Sequence, residues 1–215
     1  MPFESIANQR KRMMEIISRL KREYPDSQCS LIYNSPFQLL VATILSAQCT
    51  DERVNRVTSR LFPRYPTAKD FAKLPLEIIK KEIFSTGFYN NKAKSIKNMS
   101  IIVTEKYNGD LPKTLDEMIK LPGVGRKTAN VVLGNVYEIP SLVVDTHVTR
   151  ISNLLHFVKV RDAVKIEKIL MEITEQKDWT LFAHLIIDHG RAVCIANRPN
   201  CQGCIISELC PSNTN

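Results

Sequence analysis

The sequence predicts an all-α protein. Two observations carry that reading: apolar residues recur at spacings of three and four almost throughout, and hardly any stretch alternates with the period of two that a half-buried strand requires.

The first helix is expected from about Glu4 to Glu23, where Met13, Ile16, Ile17 and Leu20 share one stripe, Arg and Lys take the other faces, and Pro25 lies beyond the end. Ser35 is placed to cap a second helix with Pro36 at its first position, and Phe37, Leu40, Val41, Ile44 and Leu45 form its apolar side. Thr50 or Asp51 caps a third. Pro63, Pro66 and Pro75 punctuate short pieces, and Leu76 to Ser85 reads as a helix closing at Gly87, where left-handed backbone is least costly. Asn90 to Tyr107 gives a longer helix, stopped by Asn108-Gly109. Thr114 caps a brief one through Lys120, then comes LPGVG, and Arg126 opens the next. Further helices are expected around 146–156, 161–175 and 178–189, and the Cys-rich tail has room for one short turn or helix. There is no internal repeat, low-complexity tract or long linker.

The 215 residues suffice for one large domain or two small ones. Lys and Arg total 30 against 22 Asp and Glu, a formal charge of +8, which favours a polyanionic partner without separating DNA from RNA or a membrane surface. No apolar run reaches the length of a membrane span, and MPFESIANQRKRMM lacks the apolar stretch of a secretory signal, so a soluble, intracellular, cytoplasmic protein is expected. In such a compartment thiols stay reduced, and a disulfide framework is not expected.

TLDEMIKLPGVGRKTANVVLGNV places a G-x-G turn between two short amphipathic helices. Glycine serves two separable ends at 123 and 125: it tolerates positive φ, and it lets the backbone approach a ligand closely. The N–H groups of the turn and of the following helix start then form a site for a phosphate oxygen, a grip on DNA that reads no base. Leu121, Gly123, Val124, Gly125, Arg126 and Thr128 are the candidate contacts. On GVG alone an ordinary αα-turn is the favoured reading. GRKT superficially resembles the end of a P-loop, but Arg126 precedes Lys127, Leu121 stands where the first glycine belongs, and a helix rather than a strand leads in.

Lys127 falls in the first turn of a helix, where the dipole disfavours added positive charge. Partial burial is expected to act the same way, favouring a neutral amine able to attack a sugar carbon, form a Schiff base and cleave the strand by β-elimination. A phosphate-binding lysine is the plainer alternative. Asp145, in SLVVDTHVTRI, opens a further helix as its cap, unless Thr146 does so. A carboxylate there would also stabilise positive charge growing on a sugar, or take a proton from the nucleophile. His147 is a further candidate contact.

HGRAVCIANRPNCQGCIISELC sets Cys194, Cys201, Cys204 and Cys210 in a C-x6-C-x2-C-x5-C pattern, which reads as a metal site. Four thiolates suit tetrahedral zinc or a [4Fe–4S] cluster, and the spacing does not choose between them. Arg191, Asn197 and Arg198 would make the stapled loop a positive surface for a phosphate backbone. Cys29 and Cys49 stand apart and read as small buried residues.

LLVATILSAQCTD, STGFYNNKA, LPGVGRKTANVVL, VVDTHVTRI and the cysteine tail stand in one order and spacing from about Ser35 to Cys210, and on these motifs the chain resembles the endonuclease III family of the helix-hairpin-helix DNA glycosylases. The resemblance implies two helical domains with a DNA-binding cleft between them: a six-helix domain over 29–139, and a cluster domain over 1–28 and 140–215. It implies Lys127 as the Schiff-base lysine, Asp145 as the catalytic aspartate and the four cysteines as ligands of a [4Fe–4S] cluster. Gln48 matches the residue that fills the gap left by a flipped base. Phe88 falls where many relatives carry a wedging leucine. The implied substrates are oxidised pyrimidines such as thymine glycol, and abasic sites, in double-stranded DNA, handled by a monomer. The adenine glycosylases that act on mismatches share hairpin, aspartate and cluster, but typically lack the lysine and carry a further C-terminal domain. A pure DNA-binding module and an electron carrier are the competing classes.

Overall fold

The computed structural model describes residues 4–213, and every regular element among them is helical. In chain order the α-helices are α1 (Ile6–Glu23), α2 (Pro36–Ser46), α3 (Asp51–Arg64), α4 (Ala68–Lys73), α5 (Leu76–Ile83), α6 (Tyr89–Lys106), α7 (Leu115–Met118), α8 (Arg126–Val136), α9 (Thr146–Leu154), α10 (Ala163–Ile173) and α11 (Trp179–Ala192). Short 3₁₀ turns cover Phe84–Thr86, Gln176–Asp178 and, in the cysteine tail, Ser207–Leu209. No helix among the described residues is long and apolar enough to cross a membrane.

Local chemistry fixes most boundaries. Ser5, Ser35, Thr50, Thr67, Thr114, Asp145 and Asp162 each accept a backbone N–H with their side chains at a helix start. Thr50 rather than Asp51 therefore caps α3, and α1 begins at Ile6, two residues after the expected start. Thr67 and Asp70 form a reciprocal capping box on α4. Pro63 does not end α3 but lies inside its last turn. α7 stops at Met118 instead of Lys120, and α9 and α10 are each shorter than their expected spans.

The chain divides into two compact units, one spanning Cys29–Ile139 and the other combining the residues up to Gln28 with those from Pro140 onward. The first carries α2 to α8, seven helices against the six expected, α4 and α7 being very short. Its core is centred on α2, where every residue from Phe37 to Leu45 is buried. One apolar side was expected; α3, α6 and α8 cover the helix all round, which is why LLVA runs without a polar break. The polar members are satisfied internally, Thr43 Oγ1 donating to the Leu39 carbonyl at 2.7 Å.

In the other unit α1 packs its stripe of Met13, Ile16, Ile17 and Leu20 against α10 and α11. α11 packs on α9 and runs through Gly190 to Ala192, beyond its expected end. Gly190 is a packing position, not a stop: a Cβ there would lie 2.5 Å from His147 Nδ1.

Candidate functional site

The hairpin is built in three steps. Thr114 caps α7, its hydroxyl accepting from Glu117 N at 3.4 Å and donating to Glu117 Oε2 at 2.8 Å. The chain then turns with Leu121 N donating to Met118 O and Val124 N to Leu121 O, both at 3.1 Å. Leu121 and Val124 point into the core at 3% and 6% exposure. Their side chains anchor the turn and are out of reach of a bound phosphate, so only their backbone is left as a contact.

The two hairpin glycines differ. Gly123 has φ +78°, and a Cβ on it would lie 2.6 Å from Ser95 Cβ, so both conformation and space require glycine. Gly125 has φ −89°, and an added Cβ would meet nothing within 4 Å. Nothing inside the protein asks for glycine at 125. It is also the N-cap of α8 and supplies no side-chain hydrogen bond, leaving that dipole end to an anion. Arg126 and Thr128 are half-buried; Lys127 is exposed and has no hydrogen bond or ion pair among the described residues. The expected partial burial of Lys127 is absent: it takes the exposed side of a first turn whose Ala129 is buried.

In the same unit four exposed non-glycine residues adopt left-handed backbone, Gln48, Phe88, Asn108 and Glu138, of which the first two are candidate DNA contacts. Gln48 (φ +53°) follows Ala47 (φ −57°, ψ 114°) in a turn closed by Cys49 N donating to Ser46 O at 3.1 Å, a type II geometry that favours glycine at the position Gln48 holds. Phe88 (φ +48°, ψ 27°) precedes α6 and is 63% exposed. Exposed Phe84 lies nearby in sequence, its ring centroid 4.8 Å from that of Tyr89.

In the other unit Asp145 is the N-cap of α9, its Oδ1 accepting from Val148 N at 2.8 Å. His147 is half-buried, with Nδ1 enclosed and unpartnered beside Gly190, so that edge of the ring faces α11 rather than solvent. Arg191 and Arg198 are exposed.

Cys194, Cys201, Cys204 and Cys210 all line one cavity, whose other walls include Ile151, Leu154 and Ile206. Among the described residues no three His, Cys, Asp or Glu side chains converge as ligands of a single ion would. Four thiols lining one cavity are a donor set that either a tetrahedral ion or a cluster would accept. Two residues the sequence reading missed serve this cavity. Arg150 donates to Cys194 Sγ at 3.4 Å and to the Cys194 carbonyl at 2.5 Å. His189 is buried, with Nε2 3.6 Å from Cys204 Sγ and Nδ1 3.4 Å from the Tyr24 hydroxyl. Burial, with the Arg150 charge adding, pushes His189 down to about 4, so its ring is neutral at pH 7. A histidine in HGRAVC, one turn before the first cysteine, was the available signal for it; Arg150 had none.

The HhH-GPD superfamily of base excision DNA repair proteins matches residues 41–176. The chain is 49% identical to the endonuclease III of Synechocystis sp. over 211 residues, 98% of this chain and 96% of that one. It is also similar to the protein in the structure of a non-covalent endonuclease III–DNA complex and to that in a trapped endonuclease III–DNA covalent intermediate. Each match has a TM-score of 0.89 and 41% identity, and covers 95% of this chain and 96% of the other.

Proposed function

The chain belongs to the HhH-GPD superfamily of base excision DNA repair proteins, and from that membership we propose that it is a DNA glycosylase and abasic-site lyase acting on oxidised pyrimidines in duplex DNA. The observation that carries the proposal is Lys127, a primary amine exposed and unpaired among the described residues, at the uncapped start of α8 directly behind the hairpin.

In this reading Gly123, Gly125 and the start of α8 hold a phosphate by backbone N–H groups, with Arg126 and Thr128 beside them. The damaged nucleotide leaves the stack, which is least costly for an ill-stacked base. Gln48 fills the gap and bonds the orphaned partner, and Phe88 stacks between the strands. The Lys127 Nζ lone pair bonds to the sugar C1′ as the C1′–base bond breaks, its electrons leaving with the base. The amine loses its proton, and the sugar ring opens to a Schiff base. Loss of a C2′ proton then expels the 3′ phosphate, and water hydrolyses the imine to release Lys127. Asp145 takes the proton of the attacking amine or balances positive charge on the sugar. A bound duplex would supply the exclusion of water that exposed Lys127 lacks on its own.

Cys194, Cys201, Cys204 and Cys210 would hold a [4Fe–4S] cluster, which when bound ties down a loop that has little core of its own. An N–H of Arg150 is aimed at the Cys194 sulfur, as a ligating thiolate requires, and the His189 ring lies with Nε2 3.6 Å from the sulfur of Cys204. The loop would then present Arg191 and Arg198 to the DNA backbone. The units Cys29–Ile139 and the remainder would serve as hairpin domain and cluster domain of one monomer, working in the cytoplasm beside the chromosome.

A strand-cleavage assay tests the proposal on duplexes carrying thymine glycol, other oxidised pyrimidines, 8-oxoguanine or no damage. Cleavage at the oxidised pyrimidines and none of the undamaged duplex is expected. Binding without cleavage of any duplex would make the protein a DNA-binding module instead.

A further inference from the structure

Lys92 lies early in α6, is 6% exposed, and has no carboxylate partner among the described residues. A buried ammonium needs hydrogen-bond acceptors to be tolerated. Here Lys92 Nζ donates to the carbonyls of Leu45 and Thr86, each at 2.8 Å. Burial lowers its pKa from the ordinary value, with the nearby Cys49 thiol acting in the opposite sense.

The two carbonyls are rooted in the segments that run into Gln48 and Phe88, both exposed and left-handed. Leu45 belongs to the last turn of α2, whose carbonyls have no helical partner, and Gln48 follows in the turn that α2 runs into. Thr86 ends the 3₁₀ turn, and Gly87 and Phe88 follow, both at positive φ. One ammonium thus ties the stem of the Gln48 turn to the stem of the Phe88 turn. A helix-end cap would need only the Leu45 bond; the second bond gives no further help to α2.

We propose that Lys92 is a positioning residue that fixes Gln48 and Phe88 relative to one another, so that the two side chains enter a damaged duplex as one unit. The proposal rests on the reading of Gln48 as gap filler and Phe88 as wedge. Through Lys92 a local change at either turn is felt at the other, although 47 residues separate Lys92 from Leu45.

The test compares wild type with Lys92→Met on two substrates: a thymine glycol duplex with 2-aminopurine opposite the lesion, and a single-stranded abasic oligonucleotide, which has no base to extrude and no partner to orphan. On the duplex, kcat/KM is expected to fall about tenfold, within the range seen for residues sharing one hydrogen-bond network. The 2-aminopurine signal on binding should shrink with it. Cleavage of the single strand should stay within about twofold, since the chemical groups are untouched. Lys92→Gln, with one uncharged amide to serve the two carbonyls, should show the same split in smaller measure, and it carries the comparison if Lys92→Met does not fold.

A double-mutant cycle completes the test. In a Gln48→Ala, Phe88→Ala background, adding Lys92→Met should change duplex excision by less than about twofold. Equal losses on both substrates, or losses that simply multiply in the cycle, overturn the proposal while leaving the roles of Gln48 and Phe88 intact. Normal excision by the alanine variants themselves would overturn those roles, and the proposal with them.

Discussion

Val148 donates its backbone N–H to Asp145 Oδ1 at 2.8 Å, so the carboxylate proposed as a catalyst is also the cap that starts α9. The two roles separate by substitution. Asn caps a helix about as well as Asp, whereas Ala forfeits about 1 kcal/mol. Asp145→Asn is therefore expected to melt like wild type while base excision falls by about 10²-fold or more, the usual contribution of a general base or charge stabiliser. Thermal melts beside single-turnover excision check it. Full activity in Asp145→Asn would leave Asp145 a cap and nothing else.

The hairpin glycines predict opposite phenotypes. Gly123→Ala meets both a left-handed φ and Ser95, and should destabilise the protein by about 1–3 kcal/mol. Gly125→Ala has ordinary φ and open space, and should melt unchanged. If DNA comes close there, its Cβ would stand where a phosphate belongs, so affinity for a duplex with a stable abasic analogue should drop while stability holds. Anisotropy titrations read this; unchanged affinity would mean that the backbone at 125 touches nothing.

Gln48 occupies a turn position that glycine would fill with less strain. Gln48→Gly should leave stability unchanged or raise it by up to about 1 kcal/mol, and should lower excision from duplexes. Stability and activity moving down together would show that the side chain is structural.

The cysteine tail predicts about four iron atoms and a similar amount of acid-labile sulfide per chain, the stoichiometry of the cluster, in a brown protein that bleaches with oxidant. Cys204→Ser should lose iron and loosen the loop that Arg150 and His189 hold. One zinc per chain and no iron would replace the cluster with a simple ion.

The helices were legible in the sequence because their signals are local. Ser35-Pro36 and Thr114 marked starts that the structure keeps, and Met13, Ile16, Ile17 and Leu20 marked the buried stripe of α1. The misreadings came where tertiary packing overrode a local rule. α11 was expected around 178–189, yet it continues through Gly190, where the ring of His147 occupies the space a side chain would need. Leu121 and Val124 were read with the phosphate-binding turn; the core claims their side chains, which leaves only their backbone to that role. Lys127, Asp145 and the cysteines could be named from motif and spacing; Lys92 and Arg150 could not, and His189 had only its place before the first cysteine to mark it. Each of those three is defined by a partner far along the chain, and apolar periodicity reports only on neighbours within a turn or two.

The central claim is the covalent bond between Lys127 and the sugar. Borohydride added to a mixture of protein and abasic duplex should reduce the Schiff base and leave a stable protein–DNA adduct, mapped by mass spectrometry to the peptide containing Lys127. Lys127→Gln should bind the same duplex and form none. An adduct that persists in Lys127→Gln, or that maps to another lysine, would contradict the account.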